Sequence, residues 1–396
     1  MPRIVALPVE CWDQILQHAI YVPLFFDTNP LENYPASVYY RYHDQGPYWE
    51  SERTRNALRR VCSCWNQILK RFDHRYVEIA HVASGGAPPD ALRRAIRINA
   101  TTCECKICIE ALPSHLSLSV WQHELVLAAD NAGEGAWKMQ ILDYERMPYH
   151  GAAILGRPLR FHNLKVIMGY DVPLASLNFA RIKYSIKPPM LTSIDATTFE
   201  WDGPADYLQN TSFPYIRHLS IHTVTNTRSF LEWLKTTDGR LVSLFLGGEV
   251  ISDNFLAELW ELCPRVRHLR LPCGVKWLPL PQGRTLDLVQ LSARPPHLRE
   301  LPRASMCPIC GDIHTAEAFQ FRDCLSRFGL AQVRTIVILD DWVTGPSRGR
   351  RTEAALCIKL QAASLGITVV DKMGYTFEEF VVSALEQGRR HLCSAV

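Results

Sequence analysis

Apolar residues recur down the middle of the chain in one short pattern, apolar-x-x-apolar-x-(small or apolar), which begins at Met139, Leu164, Leu191, Ile216, Leu241 and Val266. The steps between these starts are 25, 27, 25, 25 and 25 residues. The clearest copies read Ile216, Leu219, Ile221; then Leu241, Leu244, Leu246; then Val266, Leu269, Leu271. Each predicts a short strand whose alternate side chains face one core. A helix is expected after each strand, as where Asp253 leads into Leu256, Leu259 and Leu262 and Pro264 closes the segment. One such unit cannot bury its own apolar face, so the units must stack. The expected fold class is α/β, a curved and mainly parallel sheet with helices outside. Weaker copies extend it at Tyr76 to Val82, His115 to Val120, Leu286 to Leu291, Val333 to Ile338 and Ile367 to Val370, about ten strands in all. The segment Phe377 to His391 has helical spacing and caps the far end of this scheme.

Ahead of the repeats the period changes to that of helices. Pro8 suits a first helical turn, and Val9, Trp12, Ile15, Leu16 and Ala19 then share one face. A second helix is expected through Leu58, Val61, Cys62, Trp65, Ile68, Leu69 and Phe72, with Arg55, Arg59 and Arg60 interleaved. Between them, about 22–52, four prolines and many tyrosines rule out one regular helix and predict an ordered insertion.

The residues Leu7-Pro8-Val9-Glu10-Cys11-Trp12 with Ile15-Leu16, and later Val61-Cys62-Ser63-Cys64-Trp65 with Leu69, resemble an F-box. The whole, followed by irregular leucine-rich-like repeats, is similar to the large F-box families of mushroom-forming fungi. The departure from that pattern is the insertion, which sets the two helices farther apart than usual. The resemblance implies residues 1–75 as an F-box-like module that docks on a Skp-type adaptor and through it on a cullin ligase. The adaptor-binding residues would be Leu7, Pro8, Trp12, Ile15, Leu16, Leu58, Val61, Cys62, Trp65 and Leu69. Residues 76–396 would be the leucine-rich-repeat-like solenoid that holds a target protein, with cysteine-containing insertions near 101–110 and 303–316. The same two tryptophans also suit the core of a plain amino-terminal cap, which terminal repeats need. Strand positions Arg217, His218, Ser220, Ser243, Phe245, His268 and Arg270 are where the repeat face would touch a target.

Composition adds bounds. Lys plus Arg number 43 against 40 Asp plus Glu, a net charge of +3 that points to neither nucleic acid nor a membrane surface as partner. No apolar run is long enough for a membrane span, and the first residues lack a signal-peptide core, so a cytoplasmic or nuclear protein is expected. Thirteen cysteines then read as thiols or metal ligands before disulfides. Cys103, Cys105, Cys108 and His115 form one group; Cys307, Cys310 and His314 form another with the Cys-x-x-Cys spacing of half a zinc knuckle. About seven rungs at roughly 4.8 Å each separate the groups, too far to share one ion. Each is read either as a structural zinc staple or as reduced thiols. No other cofactor is indicated. Phosphate-binding loops, dinucleotide-binding glycine motifs, nucleophile elbows and His-Glu-x-x-His are all absent, so the expected function is non-enzymatic. A scaffold outside any ligase and a zinc-dependent enzyme are the alternatives.

Overall fold

The 25-residue step of the sequence is the register of the sheet. In the computed structural model Ser193 pairs with His218, His218 with Ser243 and Ser243 with His268, all between parallel strands. The structure describes residues 7–29, 42, 44–83, 85–88, 90–99, 138–143, 163–168, 190–199, 215–224, 226–237, 239–247, 253–271, 283–291, 333–338, 362–371, 374–379 and 382. The expected strand at His115 to Val120 and all seven candidate metal ligands lie outside them. So does the closing helix at 377–391, apart from residues 377–379 and 382, which are helical.

The fold is α/β and its strands follow chain order. They are β1 Tyr76–Glu78, β2 Arg97–Asn99, β3 Ile141–Asp143, β4 Val166–Met168, β5 Ser193–Phe199, β6 His218–Val224, β7 Ser243–Leu246, β8 His268–Leu271, β9 Leu286–Leu291, β10 Val333–Ile338 and β11 Thr368–Val370. Each strand of the six regular copies begins two residues after the first apolar residue of its pattern. That first residue closes the turn and is buried in every copy, from Met139 at 0% exposed to Val266 at 4%. The fourth position lines one face. Through the pairings Ile194, Leu219, Leu244, Leu269, Val289, Ile336 and Val369 share one rung, and all are buried. At about 1.5–3 kcal/mol for each fully buried aliphatic side chain, this row alone is a large stabilising term. β2 was not among the strands expected from the pattern.

The described helices are α1 Val9–Ala19, α2 Gly46–Leu58, α3 Ser63–Lys70, α4 Ile79–Ala83, α5 Ala91–Arg94, α6 Thr227–Lys235 and α7 Asp253–Leu262, with a 3-10 turn at Leu24–Phe26. In α6 the Asn226 side chain accepts from the Ser229 amide at 3.1 Å, and Phe230, Leu231, Trp233 and Leu234 are buried. Gly239 then turns the chain toward β7 with φ +62, a conformation in which a Cβ would lie 2.9 Å from Pro264 Cδ.

The chain divides into two compact units, the first holding α1 to α5 with β1 to β4 and the second holding β5 to β11 with α6 and α7. In the first, the described residues of the insertion, 22–29, 42 and 44–52, supply Phe25, Phe26, Tyr42 and Tyr48 to a cover over β1 and β2. Phe25, Phe26, Tyr48 and Tyr76 pack ring against ring at 5.1 to 5.9 Å. Beneath them Arg97, 1% exposed, pairs with Asp143 at 2.7 Å and donates to the carbonyls of Phe25 and Tyr42. Its guanidinium also sits 4.2 Å from the Phe25 ring centre and 4.6 Å from that of Tyr42.

Candidate functional site

Two corrections shape the amino-terminal helices. The single helix expected from Leu58 to Phe72 is two helices, because Cys62 is extended, with φ −160 and ψ 165, and caps α3 by accepting from the Trp65 amide at 3.4 Å. The expected insertion, about 22–52, also overlaps a helix, since α2 already starts at Gly46 with Pro47 in its first turn. Arg55 and Arg59, which the periodicity left between apolar residues, are structural: both pair with Asp73, and Arg55 also pairs with Glu52 at 2.5 Å. Arg75 joins Glu52 at 3.1 Å and donates to the Ile20 carbonyl and the Ser51 hydroxyl. This charge network ties α1, α2 and the start of β1 together, and pairwise periodicity gives no sign of it. Next to it His74 takes φ 61, a left-handed turn that brings the chain from α3 into β1.

α1 meets α3 through Leu16, Ile20, Ile68 and Leu69, against which Trp12, Leu58, Trp65 and Phe72 pack. The Trp12 and Trp65 rings stand 5.0 Å apart, tilted by 52°. Leu16 and Leu69, at 1% and 0% exposed, are therefore the core of the hairpin and offer nothing to a partner. Trp12, Leu58 and Trp65 are half-buried. Leu7 (43%), Val9 (58%), Ile15 (48%) and Val61 (60%) are exposed large apolar side chains, with Pro8 and Cys62 exposed beside them. Break and exposure have one cause: when the chain leaves helical geometry between α2 and α3, Val61 turns out of the core that the periodicity assigned to it.

The seven strand positions expected to touch a target do not form an open face. His218, Ser220, Ser243, Phe245 and His268 are buried; Arg270 is half-buried and Arg217 exposed. Phe245 packs with Leu288, Val337 and Val370 on this side of the strands. Ser243 Oγ lies 3.0 Å from His218 Nδ1 and 2.8 Å from His268 Nδ1, a buried polar ladder across three strands. Burial, and then the neighbouring His268, lower the His218 pKa to about 3; burial likewise lowers that of His268. Both rings are neutral at physiological pH. Among the described residues no cluster of three or more His, Cys, Asp or Glu could hold a metal, and no helix is long and apolar enough to cross a membrane. Cys263 is buried, which pushes its thiol up to about 12 and makes it a poor nucleophile.

Comparison with protein-family models, with curated proteins and with solved structures finds no match to this chain.

Proposed function

We propose that this protein is the substrate-recognition subunit of a Skp, cullin and F-box type ubiquitin ligase, docking on the adaptor through α1 and α3 and holding a target through the irregular leucine-rich-like repeats. The observation that carries the reading is that Leu7, Val9, Ile15 and Val61 stay exposed on a helix pair whose own core is already complete. Exposed large apolar side chains that form one patch mark a protein-binding site, and these four lie just before α1, in α1 and in the turn that leads to α3. They fall within the same residues that resemble the F-box motif. In this reading the chain contributes no reacting group. It raises the effective concentration of a target lysine near the ubiquitin carrier.

Capture of a purified Skp-type adaptor by the full chain tests it. Ile15→Asp and Val61→Asp are at exposed positions, so they are expected to abolish capture while leaving the circular dichroism spectrum unchanged. An adaptor that the wild-type chain does not hold would sink the reading. That outcome would favour a second one, in which the Trp12–Trp65 contact and its core serve only to cap the repeats of a scaffold outside any ligase.

A further inference from the structure

The residues that lead into the strands of the second unit carry an asymmetry that the whole chain lacks. Tyr215-Ile216-Arg217 before β6, Arg240-Leu241-Val242 before β7 and Arg265-Val266-Arg267 before β8 contain four arginines and no acid. The middle residue of each triplet is buried, and all four arginines are exposed. Backbone bonds fix their order: the Val242 amide donates to the Arg217 carbonyl at 2.7 Å, Arg267 to Val242 at 2.8 Å and Asp287 to Arg267 at 2.8 Å. Arg334, the second residue of β10, lies level with Asp287 by the strand register. Asp287 reaches Arg267 at 3.8 Å and Arg334 at 3.4 Å, too long for strong hydrogen bonds, and the two arginine side chains remain 68% and 76% exposed.

We propose that this amino-terminal edge of β6 to β10 is an arginine ladder that binds an acidic, extended stretch of a partner polypeptide. The inference deepens the target-holding half of the preceding reading and does not depend on the adaptor. Arg217, Arg267 and Arg334 stand on every second strand, so at about 4.8 Å per strand their backbones are about 10 Å apart. A polyproline-II segment returns to the same face every third residue, an advance of about 9.3 Å, so acids at every third position would meet successive arginines. The residue type points the same way. Guanidinium groups grip carboxylates and phosphates in pairs of parallel hydrogen bonds, which lysine cannot do. Nucleic acid fits less well: the net charge is only +3, and Asp287 stands between two of the arginines, where an unbroken run of phosphates is repelled but a peptide with acids only at every third residue places a neutral residue.

Fluorescence anisotropy of the full chain, without adaptor, tests the proposal. The probes are a labelled peptide with Glu at every third position among Pro and Ala, its phosphoserine counterpart, a peptide of the same composition with the acids clustered, and a single-stranded oligonucleotide of equal length. The spaced Glu or phosphoserine peptide is expected to bind more tightly than the other two, with affinity falling as salt rises. Whichever of those two binds better identifies the oxyanion. The triple variant Arg217→Gln, Arg267→Gln, Arg334→Gln is expected to weaken binding by roughly tenfold or more, since three exposed charge contacts are lost. The corresponding Arg→Lys triple keeps the charge and is expected to lose part of the affinity. No binding, binding unchanged in the Gln triple, or tighter binding of the oligonucleotide would each overturn the proposal. Ile15→Asp should leave peptide binding intact, which separates failure here from failure of the adaptor reading.

Discussion

Arg97 in the first unit and His218 in the second hold the same place in their repeats, two residues after the residue that closes the turn into the strand, and both are 1% exposed. Their surroundings differ. Arg97 is a permanent charge, and the first unit meets it with the Asp143 carboxylate, two main-chain carbonyls and two aromatic rings brought by the insertion. His218 can give up its charge, and the second unit meets its Nδ1 with the Ser243 hydroxyl. An ion buried beside a parallel sheet requires opposite charge and several hydrogen-bond partners, whereas a neutral polar group is satisfied by hydrogen bonds alone. Phe25 and Tyr42, both from the segment between α1 and α2, are in this light the covering that Arg97 requires.

Removing one side of the ion pair should break this arrangement most severely. Arg97→Ala leaves Asp143 buried and uncompensated, and a loss of about 3–5 kcal/mol is expected in urea denaturation. The double variant Arg97→Met, Asp143→Leu should recover much of it; if the double is as unstable as the single, the charges are not the reason for the covering. In the second unit the largest effect should come from the apolar row. Leu244→Ala is expected to cost about 2–5 kcal/mol in the same measurement.

The histidine ladder sharpens the contrast through pH. His218 has its pKa lowered from 6.5 to about 3 on folding, so the unfolded chain binds the extra proton first. The stabilisation is complete above pH 6.5 and declines as pH falls toward 3, with a slope of up to about 1.4 kcal/mol per pH unit for one histidine. His268, lowered in the same direction, adds to the slope. His218→Gln should flatten the denaturation midpoint between pH 6.5 and 4, and an unchanged slope would remove His218 as its origin. Arg97, charged throughout this range, should contribute none of it. The smallest effect belongs to the helix pair: Ile15→Asp should change stability by less than about 0.5 kcal/mol because the side chain is already 48% exposed. A larger loss would mean that Ile15 belongs to the hairpin core rather than to a docking surface.

What could be read from the residues varies with how directly each interaction is periodic. The strands from β3 to β8 were legible because one apolar residue per 25 must close a turn and another must fill the core. β2 was not, because its pattern residues Ala95, Ile98 and Ala100 include two alanines and Arg97 stands between them as if solvated. The α1 face was legible, but the boundary at Cys62 was not, since Val61 and Cys62 continue the helical spacing that the extended backbone breaks. The buried fate of His218, Ser220, Ser243 and His268 was missed for a related reason. Alternation places them on the opposite face from the leucines, and polarity alone then assigns that face to water.

The sequence by itself determined the period, the parallel α/β order and the identity of the apolar row, because those follow from spacing along one chain and the burial it enforces. Tertiary structure alone decided which polar groups went inside. Arg97 and Asp143 are 46 residues apart, and His218 and Ser243 are 25 apart. Whether a charge or a ring nitrogen can leave water depends on a partner brought beside it from a distant part of the chain, and local pattern carries no record of that partner.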